Sequence, residues 1–368
     1  MNIGILCYPT YGGSGVIATE LGKALAVKGH TIHFISYNQP VRLDTFNENI
    51  FFHEVRFNNY PLFKFPPYET VLTSKIVDVV KNHNLDVLHV HYAIPHAAAA
   101  AMAKNILKKM GIKIKIVTTL HGTDITLVGK DKSFEPVVSH SLFESDVVTA
   151  VSNSLKKETH KYFNYDGEIN VVPNFIDFQR FNKQPKDHFK KMIAPNNEKV
   201  IIHTSNFRKV KRVFDVLEVF RKIAKEIPAK MLFIGDGPER NMLEKECMSC
   251  DMCKDITFLG KQEAVEEILS IADLFIIPSE TESFGLAALE AMACEVPVIS
   301  TNTGGLKEVN IDGVTGFTSD VGDTTKMAKD ALHILKEENL AQFKSLAKMH
   351  SLKYKLDTIL PIYERLYQ

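Results

Sequence analysis

The chain has 368 residues with no tryptophan and only five cysteines. So small and odd a number of cysteines does not form a disulfide framework and favours a reducing compartment. Apolar runs of membrane-spanning length are also missing. The first residues, MNIGILCYP, lack the basic region that precedes the apolar part of a signal peptide. We therefore expect a cytoplasmic protein without stable membrane insertion.

An excess of charge of either sign is absent as well, because 44 Lys and Arg balance 44 Asp and Glu. Without a basic surplus, the composition gives no support to nucleic acid as a partner or to a polybasic membrane anchor. Small-molecule substrates remain compatible with it. The length favours two domains over one core, and a homo-oligomer is compatible with the sequence.

The most informative stretch runs from residue 278 to residue 308, PSETESFGLAALEAMACEVPVISTNTGGLKE. The apolar run ADLFIIPS before it predicts a buried strand, and the Ala/Leu-rich text predicts a helix from about Leu286 to Ala293. Gly285 then lies at a helix N-terminus. Unpaired backbone N–H groups and the positive end of the helix dipole make such a turn suitable for a phosphate.

Two carboxylates flank this turn: Glu282 precedes the helix, and Glu290 lies within it. Because a carboxylate is repelled by phosphate, we interpret each as an acceptor for sugar hydroxyls on either side of a diphosphate. Taken singly, Glu282 could equally cap the helix and Glu290 could be a solvated helix residue. The Gly-rich turn Thr303–Gly305, with Glu308 behind it, favours the first interpretation.

These residues resemble the donor-site signature of the retaining glycosyltransferases of family 4, Glu-x7-Glu followed by GGxxE. The resemblance implies an α/β protein of GT-B architecture, in which two doubly wound Rossmann-like domains face each other across a cleft. It places an acceptor-side N-terminal domain at residues 1–172 plus 352–368. It places the nucleotide-sugar domain at residues 173–351.

The resemblance also implies roles for individual residues of the second half. Glu282 contacts the transferred sugar, Glu290 the nucleotide ribose, and the GlyLys turn the base. Lys211 matches the family lysine that faces the diphosphate, but Asn206 stands where the family usually has an arginine, and Arg208 is the expected substitute. The predicted catalytic residues are His121, Lys211, Arg208 and Glu282. The predicted donor-binding residues are Gly13, Ser14, Gly15, Asn206, Gly260, Lys261, Ser283, Phe284, Gly285, Leu286 and Glu290.

In the first half, the strand NIGILCYP leads into the loop YGGSG and a helix, the usual opening of a doubly wound domain. The spacing is not G-x-G-x-x-G, and no acidic residue closes the next strand, which disfavours an NAD-dependent dehydrogenase. His121 follows the strand IKIVTTL. The resemblance places it beside the transferred sugar, where it would orient the sugar; a core histidine is the alternative.

Polar residues at the ends of the N-terminal strands are the candidates for an acceptor site, and a short acid fits them better than a long glycan. The alternative is that they are ordinary turn and cap residues. Arg208 or Arg240 could add a cation. The predicted acceptor-binding residues are Ser14, Tyr92, Thr119 and Asn153.

No metal site or cofactor is expected. Cys247, Cys250 and Cys253 lack a nearby fourth ligand, and their spacing also fits one side of a helix. The pair His89 and His91 lacks an evident carboxylate partner. A clear Asp-x-Asp motif that would hold a metal-bound diphosphate is also missing.

Within the family, the combination of GGSG, HVHYAIPHA, TTLHGTDIT, AVSNS and SNFRKVKR is similar to members that act in bacillithiol biosynthesis. Those members transfer N-acetylglucosamine from UDP-N-acetylglucosamine to L-malate. A family 4 enzyme with another acceptor, a UDP-sugar 2-epimerase of the same fold and a non-catalytic nucleotide-sugar-binding protein are the alternatives.

Overall fold

The structure is a computed structural model that describes residues 1–43, 46–57, 64–65, 67–128, 131–248 and 253–368. It divides into two compact units. The first comprises Met1–Asn174 and Asp357–Gln368, and the second comprises Phe175–Leu356. The domain boundaries expected from the sequence were at residues 173 and 352.

The strands of the described residues are short and mostly buried on both faces, as in parallel sheets covered by helices on each side. In chain order they are β1 (Asn2–Leu6), β2 (Thr31–Ser36), β3 (Ile50–Glu54), β4 (Val87–His91), β5 (Lys115–Leu120), β6 (Val147–Ala150), β7 (Ile169–Val171), β8 (Lys199–Ser205), β9 (Ala229–Gly235), β10 (Ile256–Gly260), β11 (Leu274–Ile277), β12 (Val298–Thr301) and β13 (Gly316–Ser319).

Helices alternate with these strands. They are α1 (Gly13–Val27), α2 (Tyr68–His83), α3 (Ala98–Lys109), α4 (Glu135–Glu144), α5 (Asn153–Tyr162), α6 (Asp187–Ile193), α7 (Val213–Ala224), α8 (Arg240–Met248), α9 (Val265–Leu269), α10 (Leu286–Ala293), α11 (Leu306–Val309), α12 (Thr324–Leu335), α13 (Glu337–Ser351) and α14 (Leu356–Tyr367). Short π-helical segments occupy Ala93–Ala97 and Thr123–Leu127, and 3₁₀ turns occupy Lys209–Lys211, Cys253–Asp255 and Leu352–Tyr354. The predicted helix at Leu286–Ala293 is confirmed.

Each unit has one parallel sheet. The first sheet has the order β3-β2-β1-β4-β5-β6-β7, and the second has the order β10-β9-β8-β11-β12-β13. The direction of winding reverses between β1 and β4 in one and between β8 and β11 in the other. Ligands of open α/β sheets bind outside the carboxyl ends of the strands at such a reversal. The loops that leave these four strands are therefore where a site is expected.

The spacing of the three cysteines also fits one side of a helix, but α8 ends at Met248 and Cys253 begins an exposed 3₁₀ turn. Cys250 lies outside the described residues. The last helix, α14, begins at Leu356, because a 3₁₀ turn precedes it.

Candidate active site

The loops after β8 and β11 are joined by an ion pair between the Lys211 ammonium and the Glu282 carboxylate. Both side chains are largely buried, with 21% and 13% of their surface exposed. The Ser279 hydroxyl donates to the same carboxylate at 3.0 Å. The backbones are tied too, since the Glu280 N–H donates to the Val210 carbonyl at 2.8 Å. The pair therefore has a fixed position at the reversal of the second sheet.

The turn after Glu282 leads directly into the N-terminus of α10. Gly285 precedes the helix with φ of 97°, and no side chain caps the helix. Phe284 is buried and packs edge-on against Tyr354 at 5.6 Å, which holds the turn. Uncapped N–H groups at a rigid helix N-terminus are suited to bind an anion.

A second Gly-rich turn lies directly against the first. The Gly305 N–H donates to the Glu282 carbonyl at 2.8 Å. Gly304 has φ of 52° and approaches the same carbonyl so closely that a Cβ at Gly304 would overlap it. The Tyr354 hydroxyl donates to the Glu308 carbonyl at 2.9 Å and ties α11 to the 3₁₀ turn. The TGGLKE stretch thus supports the backbone of Glu282.

The basic loop after β8 contains one cation held in place and one exposed cation. Arg212 binds Asp215 at 2.7 Å, and its own backbone is left-handed with φ of 50°. Arg208 is exposed and has no carboxylate partner among the described residues. Asn206, at the family's arginine position, is also exposed. Arg208 is therefore a free positive charge beside the ion-paired Lys211.

The remaining residues predicted for the donor side lie on or beside α10 and at the end of β10. Glu290 is half-buried in α10, and Ser283 and Leu286 are half-buried on either side of Gly285. Gly260 ends β10 with φ of 67°, and Lys261 after it is exposed.

Sequence reasoning missed His203, which is completely buried on β8. Its Nδ1 bonds to the Ile276 carbonyl and its Nε2 to the Ser205 hydroxyl, each at 2.8 Å. Burial, together with the smaller effect of the Lys211 charge, lowers the pKa of His203 to about 4, although the Ile276 carbonyl and the Glu282 carboxylate act in the opposite direction. His203 is therefore a neutral link between β8 and β11, beneath the ion pair.

In the first unit, the loops after β1 and β4 meet through Ser14 and Tyr92, whose hydroxyl groups are 2.8 Å apart. Ser14 lies in the first turn of α1, between the exposed Gly13 and the buried Gly15. Tyr92 has φ of 87°, an unusual conformation for a tyrosine, and its N–H donates to the Thr119 carbonyl at 3.0 Å. Strained backbone of this kind persists only where neighbouring contacts fix it.

The His121 ring is hydrogen-bonded to the His91 ring. From the sequence, His91 was considered only together with His89, as a His-x-His pair. His91 Nδ1 and His121 Nε2 are 2.8 Å apart, and the rings stack at 5.1 Å. Burial lowers the pKa of His121 to about 3 and that of His91 well below its usual value. Both rings are therefore neutral near pH 7.

The tautomers of this pair follow from the second nitrogen of His91. Nε2 of His91 is buried without a hydrogen-bond partner among the described residues. An unpaired buried N–H costs more than an unpaired lone pair. We therefore assign the proton of His91 to Nδ1, from which it is donated to His121 Nε2. Neutral His121 then carries its own proton on Nδ1, where it can donate to a ligand.

Asp124 is a second residue that sequence reasoning did not assign. Its carboxylate accepts from the Ala93 N–H at 2.8 Å and from the Gly122 N–H at 3.0 Å, so it joins the loops after β4 and β5. Burial raises the pKa of Asp124 to about 6, although these backbone donors act in the opposite direction. It fixes the loop that carries His121.

Thr119 and Arg240 do not have the surroundings expected of acceptor ligands. Thr119 is completely buried, and its hydroxyl is 2.7 Å from both His89 Nε2 and the Thr149 hydroxyl. Both sides of this hydroxyl are therefore engaged within the unit. Arg240 binds the Glu244 carboxylate at 2.7 Å, which already compensates its charge.

Asn153 is exposed and is the first residue of α5. Ser152 is the helix cap, because its hydroxyl accepts from the Leu155 N–H at 3.1 Å. Asn153 is thus not needed as the cap.

No helix of the described residues combines the length and hydropathy required to cross a bilayer. Two family models together match most of the chain. Residues 11–180 match Glycosyltransferase Family 4, and residues 184–350 match Glycosyl transferases group 1.

Two known glycosyltransferases are similar to this chain over nearly its full length. N-acetyl-alpha-D-glucosaminyl L-malate synthase of Bacillus anthracis is 50% identical over 92% of this chain and 89% of its own. The 2-deoxystreptamine N-acetyl-D-glucosaminyltransferase of Niallia circulans is 24% identical, with 90% of each chain covered.

Among solved structures, Anabaena Alr3699/HepE in complex with UDP and glucose has a TM-score of 0.83 at 19% identity. That alignment covers 100% of this chain and 99% of that one, and it shows the shared GT-B fold. Together with the 50% identity over 92% of the sequence, these matches establish that the chain belongs to glycosyltransferase family 4.

Proposed function

We propose that the chain transfers N-acetylglucosamine from UDP-N-acetylglucosamine to L-malate with retention of the anomeric configuration, as the first step of bacillithiol biosynthesis. The bond between the sugar C1 and the β-phosphate oxygen breaks, and a bond from C1 to the malate hydroxyl oxygen forms. The hydroxyl proton passes to the departing phosphate oxygen. The products are the α-glycoside of malate and UDP.

The observation that carries the substrate assignment is the 50% identity, over 92% of the chain, to a synthase named for this product. The HepE structure with UDP and glucose, at 19% identity, bears on the fold alone. The retaining mechanism rests on the family to which the chain belongs.

For the donor we propose that the Gly285 turn and Lys211 bind the diphosphate. Lys211 is largely buried and fixed by Glu282, so its charge is already oriented when negative charge develops on the departing UDP. Arg208, which is exposed and free of carboxylates, supplies a second cation in place of the usual arginine. Glu282 accepts from hydroxyls of the transferred sugar, and Glu290 accepts from the ribose.

For His121 we propose a positioning role toward the transferred sugar. Its pKa of about 3 makes it a poor general base near pH 7, whereas the Nδ1 proton fixed by His91 can donate to a sugar oxygen. We propose the hydroxyls of Ser14 and Tyr92, and the exposed Asn153, as donors to malate. Thr119 supports this region from within the unit and does not contact the acceptor.

We also propose a cytoplasmic location, which the small and odd number of cysteines, five in 368 residues, supports. The proposed function is tested by UDP release from UDP-N-acetylglucosamine with L-malate, D-malate, succinate or no acceptor. Succinate is the matched control, since it keeps both carboxylates but lacks the hydroxyl that becomes glycosylated. We expect rapid release only with L-malate. If UDP were released with another alcohol but with neither L-malate nor D-malate, malate would be excluded as the acceptor and only the family assignment would remain.

The alternatives give different results in the same experiment. A 2-epimerase converts the sugar nucleotide without any acceptor and shows a new nucleotide sugar on chromatography. A non-catalytic binding protein binds UDP but yields no product with any acid.

A further inference from the structure

Three histidines form a compact group in the first unit, away from the candidate active site. His33 lies in β2, His53 in β3, and His83 is the last residue of α2. Their ring nitrogens all lie within 4.8 Å of one another. In the sheet β1 separates β2 from β4, so this group is not part of the arrangement around His91 and His121.

The sheet register explains why two of the rings meet. His33 pairs with Phe51, and Ile35 pairs with His53, so His33, Phe51 and His53 point to one face of the sheet. Phe51 stacks on His33 at 5.0 Å and supports that ring. His33 Nδ1 and His53 Nε2 are 2.9 Å apart.

The third ring is brought in by the end of α2. Asn84 ends this helix in a left-handed conformation, and the Asn2 amide donates to the His83 carbonyl at 3.1 Å. The His83 ring lies 4.6 Å from that of His33 and 4.9 Å from that of His53. The negative end of the helix dipole at this point favours a cation.

We propose that His33, His53 and His83 bind one divalent transition-metal ion of the zinc class, which fastens the edge strand β3 to β2 and α2. Three imidazoles plus a water ligand are a common zinc environment, with Zn–N distances of about 2.0–2.1 Å. A tetrahedral site of that size needs ligand nitrogens about 3.3 Å apart. The group contains no carboxylate, which selects against magnesium and calcium.

One charged group that opposes a cation here is Lys75, which lies close enough to His53 to interact with it electrostatically.

The test is titration of tag-free, chelator-treated full-length protein with Co²⁺, followed by visible absorption, and then displacement by Zn²⁺. We expect one equivalent to bind and to give the absorption of a tetrahedral ion. In His53→Gln and His83→Gln, the loss of one ligand should weaken the affinity at least tenfold. His188→Gln is the matched control, because His188 is exposed and lies in the other unit.

Thermal unfolding gives a second readout. Zn²⁺ should raise the midpoint by several degrees in the wild type and in His188→Gln, but not in His53→Gln or His83→Gln. UDP release should be the same with and without metal, which separates this proposal from the proposed function. Failure of the wild type to bind a stoichiometric ion, or equal affinity in all three variants, would overturn it.

Discussion

The Lys211 ammonium is bound to the Glu282 carboxylate, and this ion pair joins the loops that leave β8 and β11. The two strands are neighbours at the reversal of the second sheet. Because both groups are largely buried, the loss of either partner leaves the other charge poorly compensated. In the proposed mechanism the pair positions Glu282 and holds the Lys211 charge next to the departing phosphate.

Replacement of Lys211 by Met keeps most of the side-chain length but removes the charge. We expect kcat to fall about 100-fold, which is typical of the loss of one group that stabilises developing charge. Lys209→Met is the matched control, since Lys209 is exposed in the same 3₁₀ turn. Similar losses in both variants would show that the turn needs only net charge, not Lys211 itself.

Glu282 and Glu290 should affect different kinetic constants. We expect Glu282→Gln to lower kcat with little change in UDP affinity. Glu290→Gln should weaken UDP binding about tenfold, as expected for a lost hydrogen bond to a charged group. Calorimetry with UDP and steady-state kinetics separate the two effects, with the exposed Glu338→Gln as control. Unchanged UDP binding in Glu290→Gln would remove the ribose assignment.

Gly304→Ala tests the support of Glu282 by the second Gly-rich turn. Both Gly304 and Gly313 have positive φ values, 52° and 70°, so alanine is disfavoured at each. Only at Gly304 does the added Cβ meet the Glu282 carbonyl, whereas at Gly313 there is no atom within 4 Å. We expect both variants to be less stable, but kcat to fall only in Gly304→Ala. Equal kcat values would mean that the turn does not position Glu282.

The strand–turn–helix geometry of the proposed donor site could be predicted because it is encoded locally. Glu282, Gly285 and Glu290 lie on one strand–turn–helix segment, where spacing alone fixes which residue precedes the helix and which lies within it. The parallel sheets could also be predicted, because strand-like and helix-like segments alternate along the sequence. The GT-B fold and the family membership are accordingly confirmed.

The partners of His121 could not be predicted, because they depend on strand register. His91 ends β4 and His121 follows β5, and only the pairing of His91 with Thr119 in the β4–β5 register brings their rings together. The same applies to His203, whose partner Ile276 lies on β11. The burial of Thr119 could not be predicted either, because a polar residue at a strand end can face either inward or outward.

Stability should fall as the pH decreases from about 6.5 toward 4. The folded protein holds the pKa of His96 at about 4 and that of His89 at about 3 by burial. In the unfolded chain these histidines become protonated below about pH 6.5, whereas in the folded protein they stay neutral until about pH 4. The folded state therefore loses stability, relative to the unfolded chain, as the pH falls below 6.5. One group with a pKa of about 4 contributes about 2 kcal/mol of this loss by pH 5.

His96→Asn tests this dependence, because the asparagine amide can still donate to the His91 carbonyl that His96 Nδ1 contacts at 2.6 Å. Urea unfolding at pH 7 and pH 5 should show a smaller loss in this variant than in the wild type. Asp124 acts in the opposite direction, because its raised pKa of about 6 stabilises the folded protein at low pH. This stabilisation is lost as the pH rises through 6. An equal loss in both proteins would contradict the assignment to His96.

Removal of metals should leave catalysis intact. We propose that the positive charge that a metal ion would otherwise provide next to the diphosphate comes from Lys211, Arg208 and the N-terminus of α10. We expect the same kcat before and after exhaustive chelation, even if the unfolding midpoint falls through loss of an ion at the three histidines. Activity that disappears and returns with a divalent ion would contradict the metal-independent mechanism.

The most direct test of the central claim is the identity of the product. UDP-N-acetylglucosamine and L-malate are incubated with the protein, and the product is analysed by mass spectrometry and proton NMR. We predict one new compound with the mass of an N-acetylhexosamine joined to malate, linked through the malate hydroxyl, with an α-anomeric proton. A β-linked product would contradict retention, and conversion of the donor without any malate adduct would contradict the proposed transfer.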